Sequence, residues 1–568
     1  MNVLFFSPYA AIWRHESLEL QLASSLELEN HKVTFMRCRG ALSSNCIAMS
    51  AFGLNSYSSE DSKEGICIRC RKSSSFLKDS IGMSDVFIED SLPIDFNDQI
   101  SRILEDFDVS NWQDFVFDGI PVGRIASYEF LLNNKVIGAE ISKNIETEFV
   151  AAVRNVLLTL LSLEKHFLSK KYDVVVFYNR LYGTNHIVSI LAKRFGIKSY
   201  NLFPAGPIDD LYSRVILCEN DEFLFSANKS AEWFEFSQKR LSLLEFGRVR
   251  NHIKSLQSAK SPWVYSLAKA GKSPESIRAY FNIPANSKIY LLALSSADEV
   301  FAAQTIGIAP TNDKSTNEDI FLDGIDWINF VLENANQFKD SFFLVRVHPR
   351  EFPNKREAMT SQNALRLQAL ANQTQISNVA FNLPTDQISL YDLAPCVEKI
   401  LTGNSSAGIE FCMMGIPVVC HNPTFLTNFP HAIASIPESR SAYLNEISKS
   451  ILREEILQKS LLAHKWMYFK TFSLSQKIQP FLWRIFDLFL RGSLKYFERA
   501  PLKITLRMLR KSYFFLLRRK KGTNIILQNL SLNQPILTIQ ASMGKESRVS
   551  KFNTKVIAFM LEMKYFSR

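Results

Sequence analysis

The chain has 568 residues, 46% of them hydrophobic and 21% charged, with a formal net charge of +10. That length exceeds a single hydrophobic core and implies two to four domains, and the apolar-to-charged balance excludes a disordered or fibrous chain. Eight cysteines in this length exclude a disulfide-stapled scaffold, and no run of about 18 apolar residues predicts a membrane-spanning helix.

In chain order, Met1 to Pro8 carries no basic leader region and no cleavage site, so it reads as a buried first strand over 2–7 in a protein expected in the cytoplasm. Leu18, Leu20, Leu22, Leu26 and Leu28 predict a helix and Val33 to Phe35 a second strand, a βαβ opening. The loop between strand and helix lacks Gly-x-Gly-x-x-Gly, which excludes a dinucleotide site of that kind. It ends in Arg14, His15 and Glu16. An imidazole titrates near neutrality, so His15 is a candidate base on this side; the alternative is a helix cap.

Cys38, Cys46, Cys67 and Cys70 follow, the last two with zinc-knuckle spacing in a Ser-heavy insert over 38–70. Four thiolates would hold a structural zinc with no open position; the alternative is four unrelated reduced thiols. Residues 79–113 read as acidic and irregularly helical. Phe117 to Arg124 reads as a Gly/Pro-rich loop in which Asp118 is a turn cap or a base. A long amphipathic helix is predicted over 144–168. A buried strand follows over 172–177, then a helix through Ile187, Ile190 and Leu191, then a strand from Gly196 that ends at Phe203-Pro204-Ala205-Gly206. Residues 207–280 read as a helical bridge with Trp233, Trp263 and Tyr265 packed inside it.

A second lobe opens with the apolar strand Lys288 to Leu294 and the tip Ser295-Ser296-Ala297-Asp298-Glu299. A helix over 325–335 precedes the strand 342–347, which ends at His348-Pro349-Arg350-Glu351. A polar helix over 358–371, a strand over 379–381, a short helix from Ser389 and a strand over 398–402 come next. Then stands Gly403-Asn404-Ser405-Ser406-Ala407-Gly408-Ile409-Glu410, closed by Gly415-Ile416-Pro417-Val418. Asn404, Ser405 and Ser406 can cap a helix, Gly408 keeps the turn narrow, and a helix start built of small residues suits an anion. Glu410, one turn in, could accept from a ribose hydroxyl. The same stretch alone also describes an ordinary capped β-turn-α unit. Its weight comes from the basic strand end at His348, because both ends fall on one sheet edge, where ligands of open α/β sheets bind.

The charge lies at the far end. From Arg491 to Arg568, 17 Lys and Arg stand against 3 Asp and Glu, a net of +14, which leaves −4 for residues 1–490. Residues 481–490 are apolar and aromatic, and basic residues alternate with Leu, Ile, Met and Phe over 501–521. This pattern predicts an element on an anionic membrane surface, at about 1 kcal/mol per basic residue. The alternative is a helix packed on the lobes with a solvated basic face. No nucleic-acid recognition motif accompanies the charge.

The segments Arg346-Val347-His348-Pro349, Ser389-Leu390-Tyr391-Asp392-Leu393, Gly403 to Glu410 and Gly415 to Val418 resemble the capsular polysaccharide biosynthesis proteins, bacterial glycosyltransferases of GT-B type that include Kdo transferases. The resemblance covers 280–425, is weaker over 1–210 and ends near 480. It implies an α/β fold of two Rossmann-type lobes facing a cleft. The acceptor lobe would be 1–210, the bridge 211–280, the nucleotide-sugar lobe 281–480 and the basic tail 481–568. It implies sugar transfer from a CMP-, UDP- or GDP-linked donor to a surface polysaccharide or lipid-linked glycan without a catalytic metal, by an enzyme peripheral on the inner face of the membrane. His348, His15 and Glu299 would be catalytic. Arg346, Arg350, Asn404, Ser405, Ser406, Gly408 and Glu410 would hold the donor. The family has an acidic residue in the loop where this chain has Phe203 to Gly206. The pattern is also similar to nucleotide-sugar 2-epimerases and CDP-glycerol phosphotransferases, so an isomerase, a phosphotransferase or a non-catalytic scaffold of this fold are the alternatives.

Overall fold

The computed structural model describes residues 1–477, apart from 43, 45, 82–83, 220–229, 262, 309–319, 355–357, 404 and 422–429. Asn404 and the basic tail with its expected membrane-surface segment therefore lie outside the described residues.

Among the described residues, twelve strands form two sheets. In chain order the first lobe supplies β1 (Asn2–Phe6), β2 (Lys32–Arg37), β3 (Ser84–Phe87), β4 (Val174–Tyr178), β5 (Lys198–Pro204) and β6 (Arg214–Glu219). The second supplies β7 (Lys288–Ala293), β8 (Ser341–Arg346), β9 (Val379–Asn382), β10 (Val397–Thr402) and β11 (Val418–Cys420), and β12 (Gln476–Lys477) comes last. The sheets are ordered β12-β6-β5-β4-β1-β2-β3 and β11-β10-β7-β8-β9. Their common core, 3-2-1-4-5 in each lobe's own strand order, is parallel; β6 and β12 add antiparallel edges to the first. Two Rossmann-type lobes facing each other are the GT-B arrangement. The central strands read as continuous apolar runs because helices cover both faces: β4 is Val-Val-Val-Phe-Tyr and buried throughout.

The chain changes direction between β1 and β4 in the first sheet and between β7 and β10 in the second. Ligands of open α/β sheets bind at such switch points, beyond the carboxyl ends of the strands. Here both carboxyl edges border the space between the lobes.

Three sequence expectations change. The first sheet runs on to Glu219, past the expected border at 210, and its last strand comes from the far end of the described chain, since Gln476 pairs with Val215. The helix Arg453–Tyr468 thus leads back from the second lobe to the first, where Arg214 holds the returning chain through the carbonyls of Phe472 at 2.6 Å and Ser475 at 2.5 Å. The insert expected as a metal-held loop over 38–70 instead contains the helix Ile47–Ala51 and the start of the helix Glu60–Ile81. Strand β3 falls in a stretch expected to be helical, because its polar Ser-Asp-Val-Phe edge carries no apolar run.

The lobes are in contact. The helix Ala297–Thr305 packs on Val122–Asn134 of the first lobe, with Ala302 inside that lobe's core. Beside it the Arg350 guanidinium meets Asp298 at 2.9 Å and the Leu132 carbonyl at 3.0 Å, while Lys135 reaches the carbonyls of Met359 at 2.8 Å and Arg350.

Candidate active site in the cleft between the lobes

Three adjoining cavities occupy the cleft. The largest, about 770 Å³, sits over the carboxyl edge of the first sheet and is floored by Tyr9, His15, Glu129, Tyr182 and Thr184. A cavity of about 420 Å³ lies between the loop Pro204-Ala205-Gly206 and the second-lobe residues Ser295, His348, Ser405 and Ser406. A narrow crevice of about 150 Å³ runs under Arg346, His348, Tyr391 and Ser406. Glu299 lines both larger cavities; His348, Ser405, Ser406 and Glu410 line the smaller two. The strand ends that the sequence assigned to one edge do meet.

His348 caps a short turn, its Nδ1 accepting from the Arg350 amide at 3.3 Å. An imidazole that accepts at Nδ1 carries its neutral-form proton on Nε2. Tyr265 packs against it edge-on, with ring centres 5.9 Å apart.

The Ser/Gly turn differs in detail from the expectation. The helix it opens is only Ala407–Met413; Ser406 makes no side-chain cap, and the Ser405 Oγ accepts from the Ala407 amide at 3.4 Å. The Gly408 amide bonds to the Ser405 carbonyl at 3.0 Å, and the Ser405 amide to the Thr402 hydroxyl at 3.0 Å. What the turn offers a ligand is therefore hydroxyls rather than a row of amides. Gly415, at φ +81°, ends the helix as expected, in a conformation that costs glycine nothing.

Glu410 lines the crevice, but its carboxyl already takes the Tyr391 hydroxyl at 2.9 Å and a bond from Ser406. Burial raises its pKa to about 7 against those hydrogen bonds. It holds the turn rather than waiting open for a ribose. Arg346 also lines the crevice, with its Nη1 bonded to Asn382 and to the Ile388 carbonyl at 3.0 Å, and desolvation lowers its pKa to about 10. Arg350 has a buried charge that is paired with Asp298 and lies 3.4 Å from Glu299, and its Nη2 donates across the lobe boundary to the Leu132 carbonyl at 3.0 Å. Asp392, in the Ser389-Leu393 segment, accepts from the amides of Ala270 at 2.9 Å and Gly271 at 2.8 Å, which fastens the bridge to the second lobe.

On the first-lobe side, His15 stacks on Tyr178 with ring centres 3.7 Å apart. Desolvation, reinforced by Arg14, lowers its pKa to about 3, far below the near-neutral value expected of a base. Glu16 is buried against Arg37 at 2.6 Å and bonded to Ser7, away from the cleft. Asp118 pairs with Arg194 in an exposed turn at φ +50°. Glu299 is the carboxylate at the junction: its side chain is 39% exposed and borders both large cavities.

The four-thiol zinc site does not assemble. Among the described residues no group of three or more His, Cys, Asp or Glu side chains is arranged to hold a metal ion. Cys38 turns to Glu89 at 3.8 Å, and burial raises the pKa of all four thiols. Among the described residues, no helix is long and apolar enough to cross a membrane.

Sequence reasoning missed the walls. Trp263 and Tyr265, expected inside the bridge, line the cleft, and Arg14 lies over the rings of Tyr212 at 5.6 Å and Trp263 at 5.5 Å. Two bulky aromatics in a coil of Ser, Lys and Gly were the available signal. His252 and Lys470 border the middle cavity from the bridge and the returning chain; nothing in their local sequence marks them.

No family model matches the chain, and no curated protein matches it. Similar solved structures include KpsC, a beta Kdo 2,4 transferase of Thermosulfurimonas dismutans, at 13% identity and a TM-score of 0.26 over 44% of this chain and 68% of that one. They also include the UDP-GlcNAc 2-epimerase of Neisseria meningitidis bound to UDP-GlcNAc, at 13% and 0.25 over 82% and 94%, and the glycosyltransferase SnogD of Streptomyces nogalater, at 10% and 0.24 over 84% and 99%. Transferases and epimerases both stand among them, at a similarity too low to choose between the two chemistries.

Proposed function

We propose that the protein is a glycosyltransferase that moves a sugar from a nucleotide donor held by the second lobe to a glycan or lipid-linked acceptor held by the first. The observation that carries this reading is the division of the cleft. Two cavities of different chemistry meet at a single exposed carboxylate, Glu299. An isomerase needs one pocket; a transferase needs two that share a reacting point.

In this reading the donor phosphate rests against the Ser405 and Ser406 hydroxyls and the His348 Nε2–H. As the bond from the anomeric carbon to the phosphate oxygen breaks, charge grows on that oxygen, and preorganised donors stabilise it. Glu299 takes the proton from the acceptor hydroxyl as the new glycosidic bond forms. The aromatic wall of Tyr212, Trp263 and Tyr265 suits the apolar faces of an acceptor sugar. The basic tail would keep the enzyme beside a membrane-borne acceptor.

Incubation with nucleotide sugars, with and without glycan acceptors, tests the reading. Release of nucleotide that depends on acceptor is expected; conversion of the nucleotide sugar alone to its epimer would replace it with the isomerase. Within a working assay, His348→Ala should lower turnover about 100-fold or more, the range for one such stabiliser. A rate near wild type would remove His348 from the mechanism.

A further inference from the structure

The middle cavity contains a cation that the mechanism above leaves unused. Lys470 lies in a π-helical turn, Phe469–Ser473, where the returning chain leaves its long helix. Such turns widen a helix locally and often present a functional side chain. Its ammonium lines the cavity, and no described residue gives it a hydrogen bond or an ion pair. Burial lowers its pKa, the sign of a charge taken from water without compensation.

The groups around it are donors. His252, beside Lys470, accepts the Ile208 amide at Nδ1, 3.2 Å away, which leaves its neutral-form proton on Nε2. Burial lowers the His252 pKa to about 4, so the ring stays neutral. The Ser295 hydroxyl, which also lines the cavity, is buried with no partner. His348 closes the far side. The cavity therefore combines a lysine, the imidazoles of His252 and His348 and an unsatisfied hydroxyl.

We infer that this cavity binds a second phosphoryl group, with Lys470 as its charge partner, so that the donor is a nucleoside diphosphate sugar rather than a monophosphate-linked one. The inference rests on the transferase reading and narrows its donor. Ser405, Ser406 and His348 take one phosphate from the crevice side, while His252 and Lys470 take the other from the bridge and the returning chain.

The experiment is calorimetric titration of the full chain and of Lys470→Met with paired probes, UMP and UDP, CMP and CDP, GMP and GDP, and with inorganic pyrophosphate. The wild-type protein should prefer the diphosphate of its base by about 10- to 100-fold, the worth of one hydrogen bond to a charged group. Lys470→Met should erase that preference, leave the monophosphate affinity unchanged and unfold no more easily than wild type. Lys470→Arg should keep the preference. Equal affinity for both members of a pair in the wild type, or a preference that survives in Lys470→Met, overturns the inference and leaves the transferase reading standing. Lower stability in Lys470→Met with an intact preference would make the residue merely structural. Pyrophosphate binding that Lys470→Met abolishes, without any nucleotide binding, would keep the phosphoryl site and remove the nucleotide donor. No binding of any probe overturns both.

Discussion

The two sheets share one strand order yet treat their carboxyl edges in opposite ways. At the end of β1 in the first lobe, Ser7 is bonded to Glu16 and Glu19, and Arg37 pairs with Glu16 at 2.6 Å. Burial and the neighbouring Glu16 raise the Glu19 pKa well above the ordinary carboxylate range, so one proton and one guanidinium balance two carboxyls. That network plugs the base of the first switch point, and the cavity above it is walled by rings. At the end of β7 and β10 in the second lobe the edge is small and polar, Ser295, Ser296, Ser405 and Ser406, with imidazole beside it. The same topology thus yields a plugged, ring-walled edge in one lobe and a small polar edge in the other. Fold sets where a ligand can sit, and the residues at the strand ends set which ligand.

The sharpest way to break this division is at the residue on its border. Glu299→Gln should lower turnover by about 10²–10⁴, the span for loss of a general base, while His15→Gln should cost less than about 10-fold. The reverse ranking in steady-state kinetics would move the base into the first lobe.

Next in size is the buried ion pair beside the contact between the lobes. Arg350→Met leaves the buried Asp298 unpaired and should destabilise the protein by about 3–5 kcal/mol in urea unfolding. Addition of Asp298→Asn should recover part of the loss. An unchanged midpoint would mean that the buried pair adds nothing to stability.

A smaller effect reads the second-lobe turn through its pH dependence. Glu410 has a folded-state pKa of about 7 against an ordinary 4.5. The native state therefore keeps a proton that the unfolded state has lost, and this contribution to stability falls as pH rises from about 4.5 to about 7. Glu410→Gln cannot titrate, so its advantage over wild type should grow from near zero at pH 4.5 to on the order of 3 kcal/mol above pH 7. A difference that stays flat between pH 5 and pH 8 in chemical denaturation would refute the buried-carboxyl account of this turn.

The lobes also differ in how far their sequence could be read. The central strands and the long helix at 143–169 were legible because an apolar run and a 3.6-residue period survive any tertiary context. The second-lobe site was legible because its parts sit at strand ends in short local motifs: His348 follows β8, and Ser405 and Ser406 follow β10. Contacts between distant segments left no such mark. The closing of Arg350 onto Asp298 and Leu132, the return of β12 to the first sheet and the approach of Lys470 to the cavity depend on how the lobes dock. The lowered pKa of His15 was hidden for the same reason, since desolvation sets it, with Arg14 beside it reinforcing the shift.

The central claim is that the donor nucleotide occupies the second-lobe edge and the acceptor the first. Nucleotide affinity in two crevice-filling variants tests it most directly. Ser406→Trp fills the second-lobe crevice, and Ser50→Trp fills the wall of the large first-lobe cavity. The account predicts that Ser406→Trp abolishes binding of the preferred nucleotide while Ser50→Trp binds it as tightly as wild type. Retained binding in Ser406→Trp, or its loss only in Ser50→Trp, would contradict the account.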